Sequence, residues 1–322
     1  MVFDSHSDIW SDVTVKSLRG ETDIFRKYHY ERLQKGGIEG SILVMWIDPP
    51  YDKEPAVRMK QIMEAVEKEI SSCQDILRVV HNAEEIQKAR EDKKFYALIG
   101  CEGLSGIGED IEQIDKLYAF GIRHASLTWN EQNALATGIR GDSGRGLTEL
   151  GKRALTKLQK LSVLVDVSHL NDKSFWDVID STSRPVVATH SNSRALCATP
   201  RNLTDEMIKA LAWTGGMIGV NAYPDFISER KEERTVDRLV EHIKYIAELV
   251  GIDSIGFGFD FCEFLEDEAA DSCNVEKQVT RGLQDASEVP NILPAMRKAG
   301  FSESDIRKVS YENWHKMIQK VM

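Results

Sequence analysis

The feature that most constrains this chain is an alternation. Short, near-continuous apolar runs rich in β-formers are each followed by an amphipathic helical pattern. The runs are residues 2–5, 38–46, 95–101, 124–128, 163–167, 186–189, 217–221 and 255–259; helical patterns such as 23–34, 56–80, 110–120, 147–161 and 236–249 lie between them. Strands apolar on both faces belong to parallel sheets covered by helices. Eight of them alternating with helices is the pattern of an α/β fold, the (β/α)8 TIM-type barrel. A doubly wound open sheet has the same periodicity. At ~150 residues per domain, 322 residues make two domains or one such barrel. No Pro-, Gly- or Ser-rich linker divides the chain, so a single barrel domain over residues 1–322 is expected. Residues 302–322 read as an additional C-terminal helix, with Ser302 as N-cap and Asp305 in the first turn.

Charge and composition exclude several classes of function. Lys and Arg number 41 against 52 Asp and Glu, a formal net charge of −11. Phosphate contacts need clustered positive charge, so no nucleic-acid partner is expected. No apolar run approaches the ~20 residues of a membrane helix. The opening Met1-Val-Phe-Asp-Ser-His lacks the basic and apolar regions of a signal peptide, and residues 305–322 are amphipathic rather than a lipid-anchor signal. The expectation is a cytoplasmic protein with no membrane partner. Cysteines 73, 101, 197, 262 and 273 are odd in number and widely spaced, which is neither a disulfide framework nor a zinc ribbon.

The chemistry lies in where polar residues fall relative to the apolar runs. His6 and Asp8 end the first run as His-x-Asp, a spacing that points both side chains to one face. Glu102 follows run 95–101, His169 follows 163–167, His190 follows 186–189 and Asp260 follows 255–259. One His at a strand end is usually an ordinary hydrogen-bonded residue. Six such groups in barrel order form a rim, and imidazole with carboxylate suits zinc or a similar divalent ion. The irregular segments 138–146 and 261–274 belong at the same end of a barrel, the first as a mobile loop near the site. His29, His81, His242 and His315 fall in helical patterns and read as solvated or packing residues. His124 reads as structural, and Glu64, Glu67 and Glu69 as a solvated helix face.

With these residues in place, the chain resembles the membrane (renal-type) dipeptidases, peptidase family M19 of the amidohydrolase superfamily. The resemblance rests on Asp4-Ser-His-Ser-Asp8, Ile99-Gly-Cys-Glu-Gly103, Leu127-Thr-Trp-Asn130, Gly146-Leu-Thr-Glu-Leu-Gly151, Asp166-Val-Ser-His169, Ala188-Thr-His-Ser-Asn192, Pro200-Arg-Asn202 and Gly256-Phe-Gly-Phe-Asp-Phe261. It implies a barrel with two Zn2+ or similar ions: His6 and Asp8 on one, His169 and His190 on the other, Glu102 bridging. It further implies a bridging hydroxide as nucleophile, Asp260 as proton shuttle and Arg201 on the C-terminal carboxylate of a small dipeptide. A D-residue at that position would be tolerated, and a homodimer is implied. Where many members carry His in Leu-Thr-His, this chain has Trp129, a substrate-contacting position whose indole has one donor and cannot titrate. Two other readings share the barrel. One is an amidohydrolase for another small amide, lactam or lactone; the other is a catalytically silent metal-binding barrel.

Overall fold

The computed structural model describes residues 1–265 and 279–322. The end of the expected loop 261–274, Cys273 included, lies outside the described residues. Among the described residues there are nine parallel strands: β1 (Val2–Ser7), β2 (Ile38–Trp46), β3 (Leu77–Val79), β4 (Phe95–Glu102), β5 (Ile122–Ser126), β6 (Leu164–Asp166), β7 (Val187–Ala188), β8 (Met217–Val220) and β9 (Ile255–Phe257). Eight of them close a barrel in the order β2-β1-β9-β8-β7-β6-β5-β4. The ring shuts where β2 pairs with β4 from Gly40↔Tyr96 to Trp46↔Glu102. The fold is the expected (β/α)8 barrel rather than an open sheet.

The ninth strand, β3, corrects the expected helix over residues 56–80. That helix ends at Ser72, and Leu77–Val79 lies along Phe95–Ala97 of β4. The flank is open there because β5 joins β4 only from Ile99 onward. A short apolar run next to a helix has no periodicity of its own, so only the exposed β4 edge decides its state. Glu69 also departs from expectation. It is 3% exposed rather than solvated. Its carboxylate accepts the Phe25 N–H at 2.7 Å and lies 3.2 Å from Cys73 Sγ, clipping the helix to the turn before residue 25.

Two apolar layers build the molecule. Phe3, Ile42, Tyr96, Leu164, Val187 and Met217 form one buried cluster. They come from six different strands around the ring, so they can meet only inside it. The same cluster includes Trp314, Met317, Ile318 and Val321 of the C-terminal helix Asn313–Val321. This helix therefore plugs the end where the strands begin. Gly256 permits the fit: a Cβ there would lie 2.1 Å from Trp314 Nε1. The helical run starts as expected, with Ser302 and Asp305 forming a reciprocal capping box. The second, larger layer lies between strands and outer helices. With one end plugged, the carboxyl ends of the strands are left for chemistry. Among the described residues, no helix is long and apolar enough to cross a membrane.

Candidate active site

His6 lies near the end of β1 and Glu102 is the last residue of β4, while Asp8, His169, His190 and Asp260 stand just beyond their strands. The barrel brings all six together. Glu102 Oε1 is 2.7 Å from His169 Nε2, 3.4 Å from His190 Nε2 and 3.6 Å from His6 Nε2. His6 Nε2 is also 3.6 Å from Asp8 Oδ2 and 3.8 Å from Asp260 Oδ1. Ligand atoms of His6, Glu102 and His190 lie within 4.8 Å of one another, as do those of His6, Asp8 and Asp260. A third group joins Asp23 to the Glu69–Cys73 contact described above, with Asp23 Oδ1 3.6 Å from Cys73 Sγ.

Hydrogen bonds behind the rings fix which nitrogen faces the centre. Asn130 Oδ1 lies 2.8 Å from His169 Nδ1, so this carbonyl takes the Nδ1 proton and Nε2 carries the lone pair. For His190 the partner is Thr189. Its hydroxyl donates to Asp166 Oδ2 and therefore accepts from His190 Nδ1 at 2.8 Å. Asp166 is held in turn by His124 Nε2 at 3.0 Å, which gives His124 the structural place expected of it. Both rings thus aim bare Nε2 atoms inward, only 2.8 Å apart.

Burial first, then the cations Arg201 and His6, keep His169 and His190 neutral, with pKa values well below the ordinary histidine range. Burial pushes Glu102 well above the carboxylate range, and Asp8 and Asp260 add to it. Burial would lower His6, but Glu102, Asp8 and Asp260 together raise it to about 10. The cluster therefore demands positive charge. Both His6 ring nitrogens and Asp8 Oδ1 are buried without a hydrogen-bond partner. Lone pairs facing lone pairs and orphaned buried atoms are what a divalent cation relieves, and this donor set of three imidazoles with carboxylates fits one.

A cavity of about 240 Å³ opens over this centre, lined among others by Glu102, His169, Asp260, Trp46, Trp129 and Arg201. Arg201 is 5% exposed, its Nη2 is 3.1 Å from His169 Nε2, and its Nε has no partner. Trp129 stands between Trp46 and His169, at ring distances of 5.1 and 6.1 Å. The expected loop 138–146 does border the cavity, through Ile139 and Arg140. Asn221 is a site residue that the sequence reading passed over. Its Nδ2 donates to Asp260 Oδ2 at 2.9 Å, and its signal was a polar residue ending the 217–221 run. Asn130 and Thr189 stood in the quoted motifs without an assigned role.

The chain is similar to several known proteins. A protein of the pqqA 5' region of Klebsiella pneumoniae is 31% identical over 254 residues, covering 76% of this chain and 89% of the relative. Dipeptidase tcpJ of Claviceps purpurea is 24% identical over 249 residues, covering 77% of this chain and 56% of its own length. A metallo peptidase from Rhodobacter sphaeroides, solved with a phosphinate mimic of the dipeptide L-Ala-D-Ala, superimposes with a TM-score of 0.86 at 23% identity, covering 100% of this chain and 99% of that one. The family description "Membrane dipeptidase (Peptidase family M19)" matches residues 1–322, and the chain belongs to that family.

Proposed function

We propose that this protein is a zinc-dependent dipeptidase acting on short dipeptides with a free C-terminal carboxylate. The observation that carries the reading is Arg201, a buried guanidinium with an unpartnered Nε, lining the same cavity as Glu102, His169 and Asp260. A planar guanidinium suits a carboxylate, and an orphaned buried donor calls for an acceptor that arrives with the ligand. His6 and Asp8 would hold one metal ion, His169 and His190 a second, with Glu102 shared between them. When bound, such ions polarise a scissile carbonyl and lower the pKa of water.

The remaining chemistry falls to the chain itself. Asp260 Oδ2 is held by Asn221, and its other oxygen lies towards His6. Burial raises its pKa from the ordinary aspartate value. Such a carboxyl can take a proton from the attacking water and return it to the leaving amine. Arg201 anchors the substrate, and Trp46, Trp129 and Phe226 wall the cavity. Tolerance of a D-residue at the C-terminal position is part of the proposal. A second reading, hydrolysis of another small amide, lactam or lactone, is favoured by Trp129, whose indole cannot titrate as the usual His would.

The test is Arg201→Met, assayed on free-acid dipeptides and on their C-terminal amides, with metal content measured alongside. Charge-assisted contacts of ~1.5–3 kcal/mol correspond to roughly one to two powers of ten in kcat/KM. That loss should appear on the free acids alone, with metal content retained. Equal losses on acids and amides would assign Arg201 to the fold, and hydrolysis of no dipeptide would favour the second reading.

A further inference from the structure

Arg201 rests against one wall of the cavity. Its guanidinium carbon lies over the Phe226 ring, 5.2 Å from the centroid, and both residues line the cavity. Arg201 is 5% exposed, and an aromatic ring attracts a cation more strongly once the cation has lost its water. Among the described residues, its Nη2 is 3.1 Å from His169 Nε2 and 3.5 Å from His190 O, and its Nε has no partner. The first contact uses a lone pair that a metal ion would take, and the second is at the limit of a hydrogen bond. With metal in place, the ring is therefore the main support of the cation.

Phe226 is itself fastened, by neighbours of the residue it supports. It belongs to the helix Pro224–Ile227, a single turn too short to hold its own shape. Its N–H donates to Tyr223 O at 3.0 Å, and its carbonyl accepts from Asn202 Nδ2 at 2.9 Å and from Asn192 Nδ2 at 3.2 Å. Asn202 follows Arg201 in the sequence, Asn192 lies two residues after His190, and both are fully buried. The turn that carries Arg201 thus meets this helix at two points, guanidinium on ring and amide on carbonyl. Asn192 Oδ1 also accepts the Asn221 N–H at 2.9 Å, and Asn221 is the brace of Asp260. An apolar wall needs only area. A platform under a cation needs a ring fixed in place, and these bonds fix it.

We propose that Phe226 is a positioning residue for the substrate: its ring holds the Arg201 guanidinium ready for the C-terminal carboxylate and so sets the affinity for dipeptides. The inference rests on the dipeptidase reading with Arg201 as the carboxylate anchor. A guanidinium fixed before the substrate arrives loses less freedom on binding. Because Phe226 acts through Arg201, its contribution vanishes when the guanidinium is removed.

The experiment is a double-mutant cycle of Phe226→Leu and Arg201→Met. In all four proteins kcat, KM and metal content are measured, with the member of a free-acid Ala-Xaa dipeptide series that the wild type cleaves best. Phe226→Leu should raise KM roughly 5- to 30-fold, the worth of a cation–ring contact out of water, with kcat little changed. In the Arg201→Met background the same substitution should cost nothing further. Phe226→Tyr keeps the ring and should stay close to the wild type. Additive losses, or a loss confined to kcat, would make Phe226 a wall that touches the substrate directly and would overturn the proposal. An unchanged KM overturns it too, and loss of bound metal in Phe226→Leu would assign the ring to the fold instead. In each of these cases the wild type still cleaves dipeptides and the dipeptidase reading stands. If the wild type cleaves no free-acid dipeptide, that reading fails and the proposal falls with it.

Discussion

Two of the site residues hold a backbone conformation that side chains other than glycine rarely adopt: His169 at φ 71° and Asp260 at φ 58°. Strain of this kind persists where the surroundings fix it, and here both side chains are turned into the cavity rim. Asp260→Asn keeps the shape and the strain but cannot carry a proton. Turnover should fall ~10²–10⁴-fold with metal content nearly intact. Loss of bound metal in that variant, measured by elemental analysis, would instead make Asp260 a ligand. Thr189→Val tests the support behind His190. Without the hydroxyl, the Nδ1 proton has no acceptor and the ring can turn. Chelator competition should then show metal affinity weakened ~10–100-fold, the usual effect of removing an orienting partner; unchanged affinity would mean that packing alone sets the ring.

Among the elements, the helix Val236–Val250 shows how a helical histidine can serve the site without entering it. His242 Nε2–H donates to Ile227 O at 2.9 Å, and its Nδ1 accepts the Ser193 N–H at 3.2 Å. It thereby ties the helix to the segment that follows His190. Burial lowers its pKa from 6.5 to about 4. The unfolded chain therefore binds the proton first, so stability is full above about pH 6.5 and is lost as pH falls towards 4. The loss reaches about 3 kcal/mol. Urea unfolding of His242→Gln should give lower stability at neutral pH and a flatter slope through that window. Parallel slopes in the two proteins would place the titration elsewhere. At this scale the sequence was only partly legible. The helix and its histidine could be read as a packed element, but β3 could not, because the stretch of β4 that recruits it is the part left uncovered by the register at which β5 joins.

At the scale of the whole molecule, closing the ring concentrates buried charge. Asp8, Glu102 and Asp260 share one centre with a single raised histidine, His6. A bound cation then stabilises the folded state by mass action, about 2.7 kcal/mol when free metal stands 100-fold above its Kd. Chelation should lower the Tm in calorimetry and readdition of zinc should restore it. An unchanged Tm after verified metal removal would show that the acids are stabilised by shared protons instead.

The alternation of apolar runs with amphipathic helices determined a parallel sheet covered by helices, because both faces of a parallel strand must be covered; that the sheet closes into a barrel was decided by the pairing of β2 with β4. The same pattern determined the candidate ligands, since a polar side chain ending an apolar strand has one rim to occupy. What only the tertiary structure decided is how each of those groups is held. That Asn130 orients His169, that the hydroxyl of Thr189 reverses its role between Asp166 and His190, and that Asn221 braces Asp260 all depend on contacts between strands distant in sequence. Hydrogen bonds of this kind leave no period in a sequence, because each needs one atom at one distance rather than a repeating face. For the same reason Arg140 and Arg145, two residues of one loop, were indistinguishable until the fold set one over Trp129 at the cavity and tied the other to its own backbone.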